Sequence, residues 1–586
     1  MPETNVLEFE ALQELLLQKK YAEFIQEIDK CNPVDAADLL SPFYYATNLK
    51  KLNLPNSLTT FISGTSFVGT TNIETITGKY VLDDNRSLVI DGSLLMLAGA
   101  GLEKYVTPIG VTKLGDQVLN HHINIKEYVI SDEVTEVDGW GYLFIDCPNL
   151  EKVTISARMQ NLGYDPFVSR QSYSPLLNEV YCRALVPPVL FFDDINHPDY
   201  DFEDLTIYVP KESYGAYLSS QYWIPYRRYL EPYDYGDLSE FYPDYYISTD
   251  YSQDGKVMTL QTATVGNGID VVLMGDAYSD RQIADGTYKA DMENLYNNLF
   301  TEEPYRSFKD HFNVYYVNVV SATEGYEYGN TALDTFFGDG TYVGGNDNAV
   351  FNYALNAITE AEMDEALIIV AMNSDAYAGT CYMYYPESAT GTYGSGPAVA
   401  YFPKGGDQTT FAQLLHHEAN GHGFAKLADE YAYEDMGAVP TDYVTQTRDQ
   451  QNSWGWWKNV DFTSNPDQVR WSHFLEDDRY ANEGLGVFEG GLTYWSGVWR
   501  PTEDSIMRYN TGGFNAPSRE AIYYRIHKLA YGDSWEYDYE DFVEYDKVNR
   551  STSASAPQKT RRNYVERPLE PTAAPVVVGK SWRDAR

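Results

Sequence analysis

Apolar and polar positions change rhythm several times along the chain. Residues 7–30 carry apolar side chains at helical spacing (Leu12, Leu15, Leu16, Tyr21, Phe24, Ile25, Ile28), so 1–48 read as a helical cap. From 49 a degenerate L-x-x-L-x-L pattern recurs: Leu49-Leu52-Leu54, Ile73-Ile76, Ile125-Tyr128-Ile130, Leu150-Val153-Ile155 and Leu177-Val180-Cys182. Its period of roughly 24 to 28 residues predicts stacked repeats over 49–230, each giving one short strand to a shared sheet. A Tyr/Asp/Pro-rich stretch, 231–250, reads as a linker.

From 251 to 545 the rhythm is that of a layered domain. Apolar strands at 269–274, 312–320 and 366–372 alternate with helical segments near 285–310 and 348–361, a β-α-β-α-β order that predicts a mixed sheet covered by helices. A further strand, Ala398-Val399-Ala400-Tyr401-Phe402, is expected at the edge, where an extended peptide would pair. Residues 546–586 are rich in Ser, Thr, Ala and Pro with Arg561, Arg562 and Arg567, and read as a disordered tail.

Composition narrows the partners. The chain has 586 residues, with 42 Lys and Arg against 86 Asp and Glu, a formal net charge of -44. That excess repels nucleic acid and anionic membrane faces and favours a dispersed, monomeric protein. No apolar run is long enough to span a bilayer. The first residues show no basic-then-apolar leader, so no signal peptide is visible. Four cysteines (Cys31, Cys147, Cys182, Cys381) are too far apart for a C-x-x-C site and are expected to be structural or free. The Gly/Asp/Asn-rich stretch 338–348 clusters hard oxygen ligands of the kind calcium takes but does not match an EF-hand loop, and is expected to cap a helix.

The candidate chemistry lies in Leu-Leu-His-His-Glu-Ala-Asn-Gly-His-Gly-Phe-Ala-Lys-Leu-Ala-Asp-Glu-Tyr, residues 414–431. His417 and His422 flank Glu418, the vocabulary of a hydrolytic zinc site. In H-E-x-x-H the histidines are four apart, roughly 40° round a helix; at five apart they would stand roughly 140° apart unless an i to i+5 turn, a π-bulge, brings them together. Gly421 is expected to tolerate distorted backbone there, and Gly423 to end the helix. The chain then returns with two acids, Asp429 and Glu430, either of which suits a third ligand. His416 is expected to pack or hydrogen-bond behind the site. Glu418 is positioned as general base for a water. Dipeptidyl peptidase III carries a similar H-E-x-x-G-H motif that binds catalytic zinc.

Residues 417–431, with Val-Val-Leu-Met-Gly-Asp-Ala-Tyr-Ser (271–279), Glu-Gly-Gly (489–491), Arg-Pro-Thr-Glu-Asp-Ser-Ile-Met-Arg (500–508) and Phe-Asn-Ala-Pro-Ser-Arg-Glu-Ala-Ile-Tyr (514–523), resemble the IgA-peptidase family of zinc metallopeptidases. That resemblance implies His417, His422 and Asp429 as zinc ligands and Glu418 as base. Ser505-Ile506-Met507-Arg508-Tyr509 is similar to the methionine turn of metzincins, which implies Met507 as an apolar floor beneath the metal, and Tyr509 as an oxyanion donor in the astacin manner. Arg508 and Arg519 are expected in surface salt bridges. Residues 83–92, 149–155 and 205–213 resemble BspA-like leucine-rich repeats of bacterial surface proteins.

The expected fold class is therefore α+β, a leucine-rich-repeat solenoid followed by a zincin-like, metzincin-type metallopeptidase domain over 251–545. The expected function is a zinc-dependent endopeptidase, secreted or on a bacterial surface, acting on a protein or glycoprotein substrate. The repeats would assist substrate or surface binding. The alternative is an adhesin-like binding protein whose expanded motif no longer supports hydrolysis, and a third reading directs the peptidase at mucin-like targets.

Overall fold

The computed structural model describes residues 50–54, 72–138, 143–164, 166–167, 176–191, 202, 204–242, 244–387, 391–405, 407–550 and 569–586. The expected helical cap over 1–48 lies outside them. Two compact units emerge: the first runs to Tyr245 and adds Glu327–Gly329, and the second comprises Tyr246–Tyr326 and Asn330–Arg586.

Among its described residues the first unit is a solenoid with two six-stranded sheets, preceded by the parallel pair Lys51–Leu54 and Thr75–Gly78, instead of the single sheet expected. One sheet stacks Lys104–Val106, Glu127–Val129, Lys152–Ile155, Glu179–Cys182, Thr206–Pro210 and Leu230–Tyr233, neighbours paired in parallel. Register places Tyr105, Tyr128, Val153, Val180, Ile207 and Leu230 in one buried ladder. On the outer face Lys104 pairs with Glu127 at 2.9 Å and Lys152 with Glu179 at 3.6 Å, exposed pairs that help fix register more than stability. The second sheet uses strands as short as two residues, such as Lys113–Leu114 and Glu136–Val137, which are too brief to show a period-two signature in sequence.

The stretch read as a linker is largely folded. Leu230–Tyr233 closes the ladder, and Tyr235, Phe241, Tyr242 and Tyr245 pack with Leu185, Leu238 and Tyr328. Tyr242 donates its hydroxyl proton to the Ala157 carbonyl and accepts from the Leu185 amide at 2.8 Å. Tyrosines that pack through the ring and bond through the hydroxyl look like loop composition to a sequence reading.

The second unit is built on a seven-stranded mixed sheet: β1 (Val257–Gln261), β2 (Ile269–Asp276), β3 (Phe312–Val317), β4 (Leu367–Met372), β5 (Thr380–Tyr385), β6 (Ala398–Pro403) and β7 (Val576–Ser581). They lie in the order β1-β3-β2-β4-β6-β5-β7. The central strands are parallel and buried on both faces, so β4 reads as an unbroken apolar run. One face, with Val271, Leu273, Ile369 and Phe402, packs on α1 (Thr287–Leu299) through Tyr288, Met292 and Leu295. The opposite face, with Val272, Met274, Ile368 and Val370, packs on α2 (Asp347–Ala354) through Val350 and Phe351. Asn346, from the Gly/Asp/Asn-rich stretch, caps α2 by accepting the Ala349 amide at 3.2 Å.

Two expectations about strands and tail change here. Ala398–Pro403 is interior, flanked by β4 and β5, because its residues are all buried; the strand beyond it, β5, is antiparallel to it and is covered in turn by β7. The tail read as disordered supplies β7 and a terminal turn, Trp582–Ala585, with Trp582 fully buried. The Val576-Val577-Val578 run carried that signal, and the surrounding Pro/Ser/Arg composition masked it. Residues 551–568 lie outside the described set. Cys147, Cys182 and Cys381 are free and buried, their thiols driven up by desolvation, Cys182 to about 11; Cys31 lies outside the described residues.

Candidate active site

Asp407 starts α3 (Gln408–Leu415) by accepting the Thr409 and Thr410 amides, each at 3.0 Å. Phe411, Leu414 and Leu415 anchor α3 in the core, and the chain continues without a break into a π-helix, His416–Phe424. The wide turn that the five-residue spacing called for is thus a full π segment, in which the Ala425 amide donates to the Asn420 carbonyl at 3.1 Å. His417 and His422 consequently face each other, their Nε2 atoms 3.0 Å apart and their rings inclined at 79°.

The helix does not end at Gly423. It runs through Phe424, and the reversal falls on Lys426, whose φ of +54° turns the chain while its buried Nζ donates to the Gly423 carbonyl at 2.7 Å. Gly423 is needed for room: a Cβ there would lie 2.7 Å from Leu367 Cδ1. The returning loop is pinned at several points. Asn459 accepts from the Ala428 amide and donates to the Ala428 carbonyl, both at 2.8 Å, and the Leu492 amide donates to the Asp429 carbonyl at 2.9 Å.

This brings Asp429 Oδ1 to 3.2 Å from His417 Nε2 and 3.1 Å from His422 Nε2. The three side chains are buried, and among the described residues they form the cluster of nitrogen and oxygen donors able to hold a metal ion. The far nitrogens are already engaged: His417 Nδ1 with the Ile506 carbonyl at 2.9 Å and His422 Nδ1 with the Leu427 carbonyl at 2.7 Å. Carbonyl acceptors there require protonated Nδ1, so each ring directs its Nε2 at the common point. Burial opposes a charge on His417, but the Asp429 hydrogen bond and the nearby Glu418 outweigh it and raise the imidazole to about 9. Burial likewise works against a charged Asp429, and the two histidines overcome it and hold the carboxyl low.

Glu418 stands beside this cluster with both carboxylate oxygens buried and at bonding distance from no donor, the Thr572 hydroxyl lying near enough to favour the charged form. Burial nevertheless raises its carboxyl above the usual range. An acid kept dry and so sparsely bonded costs several kcal/mol, which weighs against a purely structural role. Strand β5 begins against it, since a Cβ on Gly379 would come within 2.7 Å of Glu418 Oε1.

The rival ligands are otherwise occupied. Glu430 accepts from Asn459 at 2.9 Å, Asn515 at 2.9 Å and Ser505 at 2.7 Å, and its amide donates to the Met507 carbonyl at 2.8 Å, so it braces the Met507 turn instead of facing the cluster. His416 turns away, its Nε2 2.8 Å from the Thr301 hydroxyl and Nδ1 3.0 Å from the Asn420 amide. Met507 lies in the one-turn helix α4 (Ile506–Tyr509), buried against Gly421.

Tyr509 is 37% exposed, with the Arg508 guanidinium 4.5 Å above its ring. Arg519 is no surface residue: it is buried and paired with Asp546 at 2.8 Å and Glu483 at 3.1 Å. Two tyrosines passed over in the sequence also face this region: the charges of Glu418 and Asp429 raise the Tyr431 phenol beyond what burial does, and Glu418 acts in the same way on Tyr377. Fifty-two tyrosines gave no means of singling them out.

Comparison with known proteins agrees with the sequence motifs. Residues 258–481 match the family model described as IgA Peptidase M64, and residues 40–174 match six copies of the BspA type leucine rich repeat region. An M64 domain therefore follows a BspA-type repeat region in this chain. No curated protein matches it. Among solved structures it is similar to the pneumococcal vaccine antigen PcpA, at 16% identity over 32% of this chain and 55% of that one with a TM-score of 0.20. It is also similar to a leucine rich cell surface protein from Faecalibacterium prausnitzii, at 17% identity over 33% and 50% with a TM-score of 0.24. A leucine-rich repeat protein from Eubacterium ventriosum is similar at 16% identity over 28% and 42%, TM-score 0.20. The chain thus spans about half the length of the solved chains it matches.

Proposed function

We propose that this chain, with its M64 domain behind a BspA-type repeat region, is a zinc-dependent endopeptidase of zincin-like fold. The observation that carries the reading is the convergence of His417 Nε2, His422 Nε2 and Asp429 Oδ1 within 3.2 Å of one another, beside a buried carboxylate. Two imidazoles and one carboxylate suit zinc, and three protein ligands leave a position open for a reacting molecule. A zinc ion held there would acidify a water and polarise the scissile carbonyl.

The remaining work falls to the chain's own groups. Glu418 takes a proton from the attacking water and delivers it to the leaving amine as the C–N bond breaks, a role helped by a carboxyl raised toward neutral pH. Main-chain carbonyls of Ile506 and Leu427 hold both imidazoles in the tautomer that presents Nε2. Met507, buried against Gly421, is the apolar floor implied by the metzincin-like turn. Tyr509 is the oxyanion donor implied by the metzincin-like turn.

Substrate is a protein or glycoprotein, and the repeats dock it or a surface. The BspA-type region supports a secreted or cell-surface location on a bacterium. No helix among the described residues is long and apolar enough to cross a membrane. The adhesin-like alternative rests on the expanded histidine spacing, and the π-helix that brings the two rings together supports the peptidase reading over it.

The test is metal analysis joined to digestion of a peptide library. About one zinc per chain is expected, and Glu418→Gln should keep the metal while losing cleavage. Undiminished cleavage by that variant would end the assigned mechanism.

A further inference from the structure

The chain's own C-terminal segment lies across the candidate active site. Before entering β7, residues 569–575 (Leu-Glu-Pro-Thr-Ala-Ala-Pro) are gripped in turn by groups around Glu418. The Leu569 amide donates to the Tyr509 carbonyl at 3.2 Å. The Tyr377 hydroxyl donates to the Glu570 carbonyl, and the Tyr431 hydroxyl donates to the Thr572 carbonyl at 2.8 Å. Thr572 is 1% exposed, with its hydroxyl beside the Glu418 carboxylate.

The segment then joins the sheet. Val576 pairs with Tyr382 and Val577 with Met383 in parallel, so β7 covers the edge of β5, the strand that follows directly on Gly379 beside Glu418. An extended peptide reaching Glu418 needs donors for its main-chain carbonyls, and residues 569–575 already occupy them. Pro571 and Pro575 keep the segment extended at little entropic cost. A polypeptide substrate cannot enter while it stays.

We propose that residues 569–575 are an internal blocking segment, holding the site closed to polypeptide until they are displaced, and that Tyr377 and Tyr431 are the residues that bind a substrate's backbone carbonyls once they leave. This rests on the peptidase reading. The hold is light where it blocks and firm where it is anchored. Between 569 and 575 it consists of single hydrogen bonds to three tyrosines and the burial of one side chain, Thr572, whereas Trp582, just past β7, is fully buried with its Nε1 donating to Asp364 at 2.8 Å. The segment can therefore leave the site while its far end stays docked.

The experiment uses the full zinc-loaded chain and two variants: Thr572→Trp, too large for its buried position, and a version in which 569–575 are replaced by seven Gly and Ser residues, which leaves β7 and Trp582 in place. Cleavage of a quenched-fluorescent peptide library, binding of a peptidyl hydroxamate by calorimetry and amide exchange of residues 569–585 are compared. Both variants should exchange faster over 569–575, bind the hydroxamate at least tenfold more tightly and cleave at least tenfold faster, with zinc content unchanged. Faster exchange with no gain in hydroxamate affinity would overturn the proposal, as would equal affinity and unchanged exchange. The hydroxamate arm needs no turnover. Tighter binding in the variants without cleavage by any form would leave the blocking role standing and sink the peptidase reading alone; absence of zinc from every form would sink both.

Discussion

A Cβ built on Gly421 would lie 2.3 Å from the sulfur of Met507. The sulfur therefore occupies the space that the missing side chain leaves, which ties the π-helix directly to the turn beneath it.

That contact predicts the outcome of Gly421→Ala. The backbone here is helical, where alanine is favoured over glycine by about 1 kcal/mol, so intrinsic propensity alone would make the change stabilising. The clash runs the other way and should cost about 1–3 kcal/mol as Met507 is pushed off its place. Zinc titration should show affinity falling at least tenfold, because Ile506, whose carbonyl holds His417, moves with Met507. A variant with wild-type zinc affinity and melting temperature would remove Met507 from the site's support.

How much of this was legible beforehand depended on whether the signal was local. The need for an i to i+5 turn followed from helix geometry and the spacing of His417 and His422, and the segment His416–Phe424 is such a helix. The reason for Gly421 did not follow, because it lies in a residue 86 positions away that the chain folds against it. Glu430 and Asp429 were equivalent as neighbouring acids until Asn459, Ser505 and Asn515 claimed Glu430, three partners distant in sequence. The repeat ladder was readable from Tyr128, Val153 and Val180 because each repeat restates the pattern, whereas β7 occurs once, in a tail whose composition points the other way.

Lys426 predicts a pH dependence. Its amine is fully buried, and burial first, then the Arg525 charge, pushes it down to about 7 from 10.5. Between those values the unfolded chain holds a proton that the folded chain lacks, so this residue makes stability rise with pH over that window, and its full penalty is present below pH 7. The slope is about 1.4 kcal/mol per pH unit at most. In Lys426→Met the contribution is absent, so stability of wild type minus variant should increase from pH 7 to 9.5, as measured by urea unfolding at several pH values. A constant difference would mean that Glu365, whose charge acts in the opposite direction, keeps the amine protonated.

Trp582 tests whether the C-terminal strand belongs to the fold. Its indole is fully buried, 5.5 Å from the Phe351 ring between centroids, and its Nε1 donates to Asp364 at 2.8 Å. Removing a buried indole costs about 3–5 kcal/mol, through lost transfer energy and the cavity that remains. Trp582→Ala should therefore lower the guanidinium midpoint of the second unit, followed by near-ultraviolet circular dichroism. Lys580→Ala, an exposed position on the adjoining strand, should change stability by no more than about 0.5 kcal/mol. If Trp582→Ala unfolded at the wild-type midpoint, β7 would be an appendage without a stake in the core, and the anchor that lets residues 569–575 come and go would be lost with it.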